Sequence, residues 1–341
     1  MSNTGAGSMT AYQQTFDFWG QKLTVRCNDA VWLQSITDYI SLDTISGAGP
    51  SDVTLTFQVA PATEADSLLP LPEERYKVFS SFWDEPPVYS RLDIYDQNGM
   101  RYGDWSGFGR YCIDTAQGQA LAVAYSDCAM PSVYQLVLLA EASIRRLARD
   151  AFFVHAGCLS INGQGILLCG PSGAGKSTAT FALLQAGIPT LTDEAAFIRR
   201  GSAGYEALSL SWVVKVRQDA IQKFFPALLN RPARFEGAGE YYYPISALPN
   251  GTGINRTSLR AVIAVRQSHV RNSRLERVSP LQVVNAVFPV TLFELDEERR
   301  TAKFHKLVDM LNEVECYQLH FGTDMDNFMA CMQAWAATVS R

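Results

Sequence analysis

Short runs in which apolar and polar residues alternate dominate the first third of the chain. Residues 13–19 and 22–27, QQTFDFW and KLTVRC, are β-rich and separated by Gly20, which predicts an opening hairpin. Asn28 or Asp29 is placed to cap a helix reaching about residue 40, with Val31, Leu33, Ile36 and Ile40 on one stripe. A loop over 46–52 precedes strands expected at 53–59, 76–82, 88–95, 111–113 and 121–125, and Asn98-Gly99 is a strong two-residue hairpin signal. The pattern predicts a mostly antiparallel, β-rich domain over 13–130, with 1–12 as a disordered leader. Its aromatic trio, Trp83, Trp105 and Phe108, is of a kind that more often fills a small β-domain's core than lines a groove.

At residue 131 the period changes. Leu136, Leu139, Ile144 and Leu147 recur at helical spacing, and Arg145, Arg146 and Arg149 complement the negative end of a helix dipole. A connecting helix is expected over 131–150. From 151 to 341 strands and helices alternate, the mark of an α/β domain. One strand is expected over 151–161, turned by Asn162-Gly163 into a second at 166–168, and then a helix over 176–186 stopped by Gly187. A short strand over 188–191 follows, then a strand pair through 208, a strand at 213–216, a helix over 218–228 and a polar loop over 230–240. The chain finishes with a β-branched strand at 259–265, helices opening at Ser279-Pro280 and over 301–311, a strand at 317–321, and a terminal helix capped by Thr323.

Composition narrows the classes. At 341 residues, 47% hydrophobic and 18% charged, the chain has room for two globular domains. A net charge of −5 argues against nucleic acid or anionic lipid as the main partner. No apolar run approaches membrane-spanning length, and the polar start lacks a secretion signal. Seven cysteines, at 27, 112, 128, 158, 169, 316 and 331, form an odd set without zinc-like spacing, which suits a reducing cytoplasm. Nothing in the sequence requires or forbids a homo-oligomer.

The candidate chemistry is concentrated in residues 166–178, ILLCGPSGAGKST. Gly170, Gly175, Lys176 and Ser177 satisfy G-x-x-x-x-G-K-[ST] between a strand and a helix, the setting that a phosphate-binding loop requires. Backbone amides across Gly170, Pro171, Ser172, Gly173, Ala174, Gly175, Lys176, Ser177 and Thr178, with the helix N-terminus, would cradle phosphate oxygens. Lys176 supplies a point charge for the outer phosphates, and the Ser177 hydroxyl can ligate Mg²⁺. The neighbouring strand ends should carry the remaining chemistry. Asp193 and Glu194 fall just past the strand that follows the loop helix, and His155 lies on the strand whose hairpin delivers the loop. Adjacent carboxylates can divide the labour of phosphoryl transfer, one on the metal and the other accepting the acceptor's proton.

The run HAGCLSINGQGILLCGPSGAGKST, followed by LTDEAAF, resembles the catalytic domain of the HPr kinase/phosphorylase family and its relatives that tailor lasso-peptide precursors. WVVKVRQDAI, EYYYPI and SLRAVIAV add weaker likeness to the peptide-tailoring relatives. The resemblance implies a phosphoenolpyruvate carboxykinase-like P-loop kinase domain using ATP and Mg²⁺ on a serine hydroxyl. It further implies that Gly170 to Ser177 hold the triphosphate, Ser177 and Glu194 serve the metal, Asp193 is the base, and His155 lies beside the reacting phosphate. Departures are Glu194, where the family carries a second Asp, and Glu240-Tyr241, where it carries a basic residue; Arg217, Arg231 and Arg234 are then candidates for the phosphate-contacting arginine. The reading is a kinase acting on a peptide or protein hydroxyl, a ribosomally made precursor peptide included. Its rivals are a catalytically silent nucleotide-binding scaffold and a small-molecule kinase.

Overall fold

The computed structural model describes residues 11–339 except 39, 41, 47–48, 74–75, 86–87, 115, 127–150, 195, 210–212, 234, 238 and 292–296, with side chains omitted at 76–90, 235–237 and 288–300. The expected helix over 131–150, Arg234 and Cys128 therefore lie outside the described residues. Two compact units result, 1–149 and 150–341.

In the first unit, β1 (Tyr12–Phe18) and β2 (Gln21–Cys27) form the predicted hairpin, Trp19 and Gly20 turning through φ values of 54° and 92°. The strand starts at Tyr12, inside the expected leader. Helix α1 (Ala30–Thr37) is capped by Asp29, whose carboxylate accepts the Trp32 N–H at 2.9 Å. It ends short of residue 40 and buries Leu33 and Ile36 but not Val31, which is 78% exposed. An eight-stranded sheet is completed by β3 (Val53–Ala60), β4 (Tyr76–Glu85), β5 (Val88–Gln97), β6 (Met100–Trp105), β7 (Gly109–Asp114) and β8 (Gln119–Tyr125), in the order β1-β2-β3-β8-β7-β6-β5-β4.

The expectation of a mostly antiparallel domain holds for five of this sheet's seven strand pairs, and its centre departs from it. β3 runs parallel to both β2 and β8: the connection from β2 contains helix α1, and β8 is reached only after the intervening strands β4 to β7. Strand β6 carries only a weak β signal in sequence, because Gly103 and Asp104 dilute it. The glycine is required: a Cβ there would lie 2.1 Å from the Tyr111 ring. Trp105 and Phe108 are buried with ring centroids 4.9 Å apart, so this pair is core.

The second unit begins with β9 (Ala151–Val154), β10 (Gly157–Ile161) and β11 (Gln164–Cys169), followed by α2 (Lys176–Gln185; the four-residue helical turn Ala65–Leu68 of the first unit is left unlabelled). Next come β12 (Thr190–Thr192), β13 (Ala196–Gly201), β14 (Gly204–Ser209), β15 (Val213–Arg217) and α3 (Gln218–Phe224). Then follow β16 (Phe235–Gly237), β17 (Glu240–Pro244), β18 (Arg256–Gln267), β19 (Arg274–Arg277) and α4 (Pro280–Thr291). The chain ends with α5 (Glu297–Glu313), β20 (Glu315–Phe321) and α6 (Met325–Val339).

Nine of these strands make one mixed sheet, with β12-β10-β11-β18-β14-β13-β9 in line, β20 on β18 beyond β14, and β19 on β20. β11 lies parallel to β18, and β18 parallel to β20. The run ILLC is apolar throughout because both sheet faces are covered. Ile166 and Leu168 pack with Phe181, Leu183, Phe328 and Trp335 on one side. Leu167 and Cys169 pack with Val283, Leu307 and Met310 on the other. A second sheet, β15-β17-β16, lies over the first face through Val214, Val216 and Tyr243.

Local corrections follow from turn chemistry. The strand expected over 151–161 breaks at His155-Ala156, and its halves part: β9 pairs with β13, whereas β10 pairs with β11 and β12. Helix α3 stops at 224 because Pro226 disfavours helical backbone at Phe225. The loop over 230–240 contains β16, and charged β19 lacked a strand signal. Asp324, not Thr323, caps α6, its carboxylate accepting the Asn327 N–H at 3.0 Å.

Candidate phosphate-binding and acid-pair site

Strand directions bring five chain segments to one end of the nine-stranded sheet. Parallel β11, β18 and β20 deliver residue 170, Ser268 and Gly322-Thr323, while β10 and β12, antiparallel to each other, bring His155 and Asp193-Glu194 to the same end. A cavity of about 430 Å³ lies there. Ligand sites in open α/β sheets form beyond such strand ends.

The loop between β11 and α2 is shaped by its glycines. Gly170, at φ 154°, passes so close to β18 that a Cβ would meet the Val265 carbonyl at 2.7 Å. Gly175, at φ 95°, is the N-cap of α2 and would press a Cβ to within 2.9 Å of the Phe321 ring. No side chain caps α2, and its first internal bond runs from the Ala179 N–H to the Gly175 carbonyl. The amides of Lys176, Ser177 and Thr178 precede that bond, at the positive end of the helix. Ser172, Gly173, Gly175, Lys176, Ser177 and Thr178 all line the cavity, whereas Gly170, Pro171 and Ala174 do not. Lys176 is only 7% exposed, and its Nζ donates to the carbonyls of Gly170 and Pro171 at 2.9 and 3.2 Å. Burial lowers its pKa, opposed by the carboxylate of Glu194.

The two acids occupy different environments. Asp193 is 1% exposed; its Oδ2 accepts the Lys215 backbone N–H at 2.9 Å, and its buried Oδ1 has no hydrogen-bond partner. Burial, then the charge of Glu194, pushes Asp193 well above the ordinary carboxyl range, against the pull of Lys215 and the Ser177 hydroxyl. Glu194 instead faces the cavity. Burial opposes its charge, but Lys215, His155 and Lys176 outweigh that cost and hold it below the ordinary value. Its Oε1 lies 2.5 Å from Lys215 Nζ, and its Oε2 lies 3.5 Å from His155 Nδ1. Burial lowers the pKa of His155, opposed by the carboxylate of Glu194 and reinforced by the charges of Lys176 and Lys215.

The second sheet supplies a residue that motif reading passed over. Alternation along β15 turns Val214 and Val216 to the core, and Lys215 and Arg217 to the cavity. Lys215 Nζ also lies 3.4 Å from Glu240, which accepts the Tyr242 hydroxyl at 3.2 Å. Burial works against the lysine's charge, yet Glu194, Tyr242 and Glu240 raise its pKa. The signal available was spacing: a lone lysine between valines in VVKV is a charge on one face of an otherwise buried strand. Of the three candidate arginines, Arg217 lines the cavity. Arg231 is directed elsewhere, its Nη1 3.4 Å from the Ala247 carbonyl.

Ser177 and Glu194, both hard oxygen donors, line the cavity, and the buried Asp193 Oδ1 next to Glu194 in sequence has no hydrogen-bond partner. That donor set fits Mg²⁺, which takes one or two protein oxygens and completes its shell with phosphate and water. Among the described residues no helix is long and apolar enough to cross a membrane.

No family model matches the chain, and no curated protein matches it. Among solved structures, the Hpr(Ser) kinase/phosphatase from Coxiella burnetii pairs with this chain at 11% identity and a TM-score of 0.29, over 55% of this chain and 99% of that one. A likeness of that degree carries no weight for activity, and the chain's own residues bear the functional reading.

Proposed function

We propose that the chain is an ATP-dependent kinase that moves the γ-phosphoryl group to a serine or threonine hydroxyl of a peptide or protein, with a ribosomally made precursor peptide as the acceptor class. We place the second unit with the phosphoenolpyruvate carboxykinase-like P-loop kinases and the reaction in the cytoplasm. The observation that carries the reading is the placement of two adjacent carboxyl groups beside a phosphate loop, Asp193 buried with one oxygen lacking a hydrogen-bond partner and Glu194 facing the cavity. Asp193 is driven toward its protonated form and Glu194 toward its charged form. Neighbouring acids with opposed protonation preferences mark a division of acid–base labour.

In this reading the amides of residues 173–178 and the Lys176 ammonium hold the triphosphate, Lys176 leaving the loop carbonyls for phosphate oxygens. Asp193, buried next to the cavity-lining Glu194, takes the acceptor's proton through one water, with its unpaired Oδ1 as the receiving atom. Ser177 and Glu194 would hold Mg²⁺, which neutralises charge developing on the phosphates. His155 borders the same space, its pKa lowered by burial.

The test is transfer of label from γ-labelled ATP to hydroxyl-bearing peptides by the wild-type chain, Lys176→Ala and Asp193→Asn. Label on a serine or threonine in the wild type alone supports the kinase; no label on any hydroxyl overturns it. A nucleotide-binding regulator without transfer is the second reading, favoured by the 2.5 Å contact that ties Glu194 to Lys215. Nucleotide binding without turnover, unchanged by Asp193→Asn, would select it.

A further inference from the structure

We infer that Glu240 is a positioning residue: it offers Lys215 a second carboxylate, so that Glu194 is freed to take the divalent cation that arrives with the nucleotide. The inference rests on the kinase reading, and specifically on Glu194 as a metal ligand.

The argument starts from register. In the β15/β17 ladder Lys215 stands opposite Tyr242, and Arg217 opposite Glu240. All four side chains leave the same face, which makes Glu240 the diagonal neighbour of Lys215. The contacts then form a row: His155 Nδ1 to Glu194 at 3.5 Å, Glu194 to Lys215 Nζ at 2.5 Å, Lys215 Nζ to Glu240 at 3.4 Å, and Glu240 to the Tyr242 hydroxyl at 3.2 Å. One ammonium thus lies between two carboxylates, closer to the one that faces the loop. Arg217 does not stand in for it, being directed at Asp219 at 3.4 Å.

A dication reaching Glu194 displaces the ammonium at contact distance. A partly buried lysine pushed off its only counter-ion would be left uncompensated, at a cost charged against metal binding. Glu240 removes that cost. Its Oε2 is already within 3.4 Å, and an ammonium on a four-carbon stem turns toward it without backbone movement. The Tyr242 hydroxyl fixes the receiving carboxylate. In Glu240→Gln, Lys215 keeps its ion pair with Glu194 and competes with the metal.

The experiment titrates Mg²⁺ into the full-length chain with a fluorescent ribose-labelled ATP and reads nucleotide binding, with parallel titrations of ATP in EDTA. Glu240→Gln should raise the Mg²⁺ midpoint about tenfold, equivalent to about 1.4 kcal/mol, and leave metal-free nucleotide binding unchanged. Glu240→Asp should restore the midpoint to within about threefold, and Tyr242→Phe should shift it by about twofold. Equal midpoints in wild type and Glu240→Gln overturn the inference and leave the kinase reading standing. Equal losses of metal-free and Mg²⁺-dependent binding make Glu240 merely structural and also overturn it. Absence of Mg²⁺-dependent nucleotide binding in the wild type overturns both the inference and the reading beneath it.

Discussion

The two large sheets treat buried polar groups in opposite ways. In the eight-stranded sheet Arg101 is 3% exposed, and its guanidinium meets both oxygens of Asp96 at 2.7 Å. Charge, geometry and donor count are matched, as in a bidentate pair that serves structure. In the nine-stranded sheet Asp193 is as deeply buried, yet one oxygen has no hydrogen-bond partner and its proton affinity is raised. Lys176 is buried against loop carbonyls and has its affinity lowered. Polar groups satisfied by their own fold report on stability, while buried groups held away from their preferred protonation state report on chemistry.

That contrast can be broken most severely at Lys176. Lys176→Ala should reduce transfer from ATP by at least about 10³-fold and weaken nucleotide binding, read by label transfer and by equilibrium titration. Asp193→Asn should lower transfer by about 10²–10⁴-fold while sparing nucleotide affinity, and a parallel loss of affinity would count against its role as base. In the eight-stranded sheet, Asp96→Asn should cost about 1–2 kcal/mol of stability by denaturant titration, discounted because Asp96 is half exposed, and should leave transfer unchanged.

The smallest effect concerns pH, and its sign differs from that of an ordinary ion-paired carboxylate. Asp193 has a folded pKa raised above its unfolded value, so between those values the folded state binds the extra proton. Its contribution to stability is therefore full below the unfolded value and falls as pH rises toward the folded one. Asp193→Asn should flatten that decline and raise the melting temperature on the alkaline side by a few degrees, with no gain in acid. Transfer should run the other way, failing as pH falls through the folded pKa and the base becomes protonated.

Much of this could be read from the chain because local rules and tertiary needs agree. The Asn98-Gly99 and Asn162-Gly163 turns both adopt positive φ at each residue, as the dipeptides foretell. The loop glycines, the helix from Lys176 and the acids after β12 follow from pattern and spacing alone. What escaped depends on contacts distant in sequence. Lys215 joins the acid pair only because β15 folds over the loop helix, and nothing within VVKV announces a partner twenty-one residues earlier. The split at His155-Ala156 likewise reflects competition between β13 and β11 for neighbouring stretches of one apolar run. Parallel pairing of β3 is set by crossovers whose destinations the periodicity does not encode.

The split also has a mechanical side. β9 is an edge strand only four residues long, zipped to a hairpin made some forty residues later, and it ends directly at His155. Displacement of β9 from that edge would carry the imidazole away from Glu194, while the glycine turn between β11 and α2 is held separately by β18 and β10.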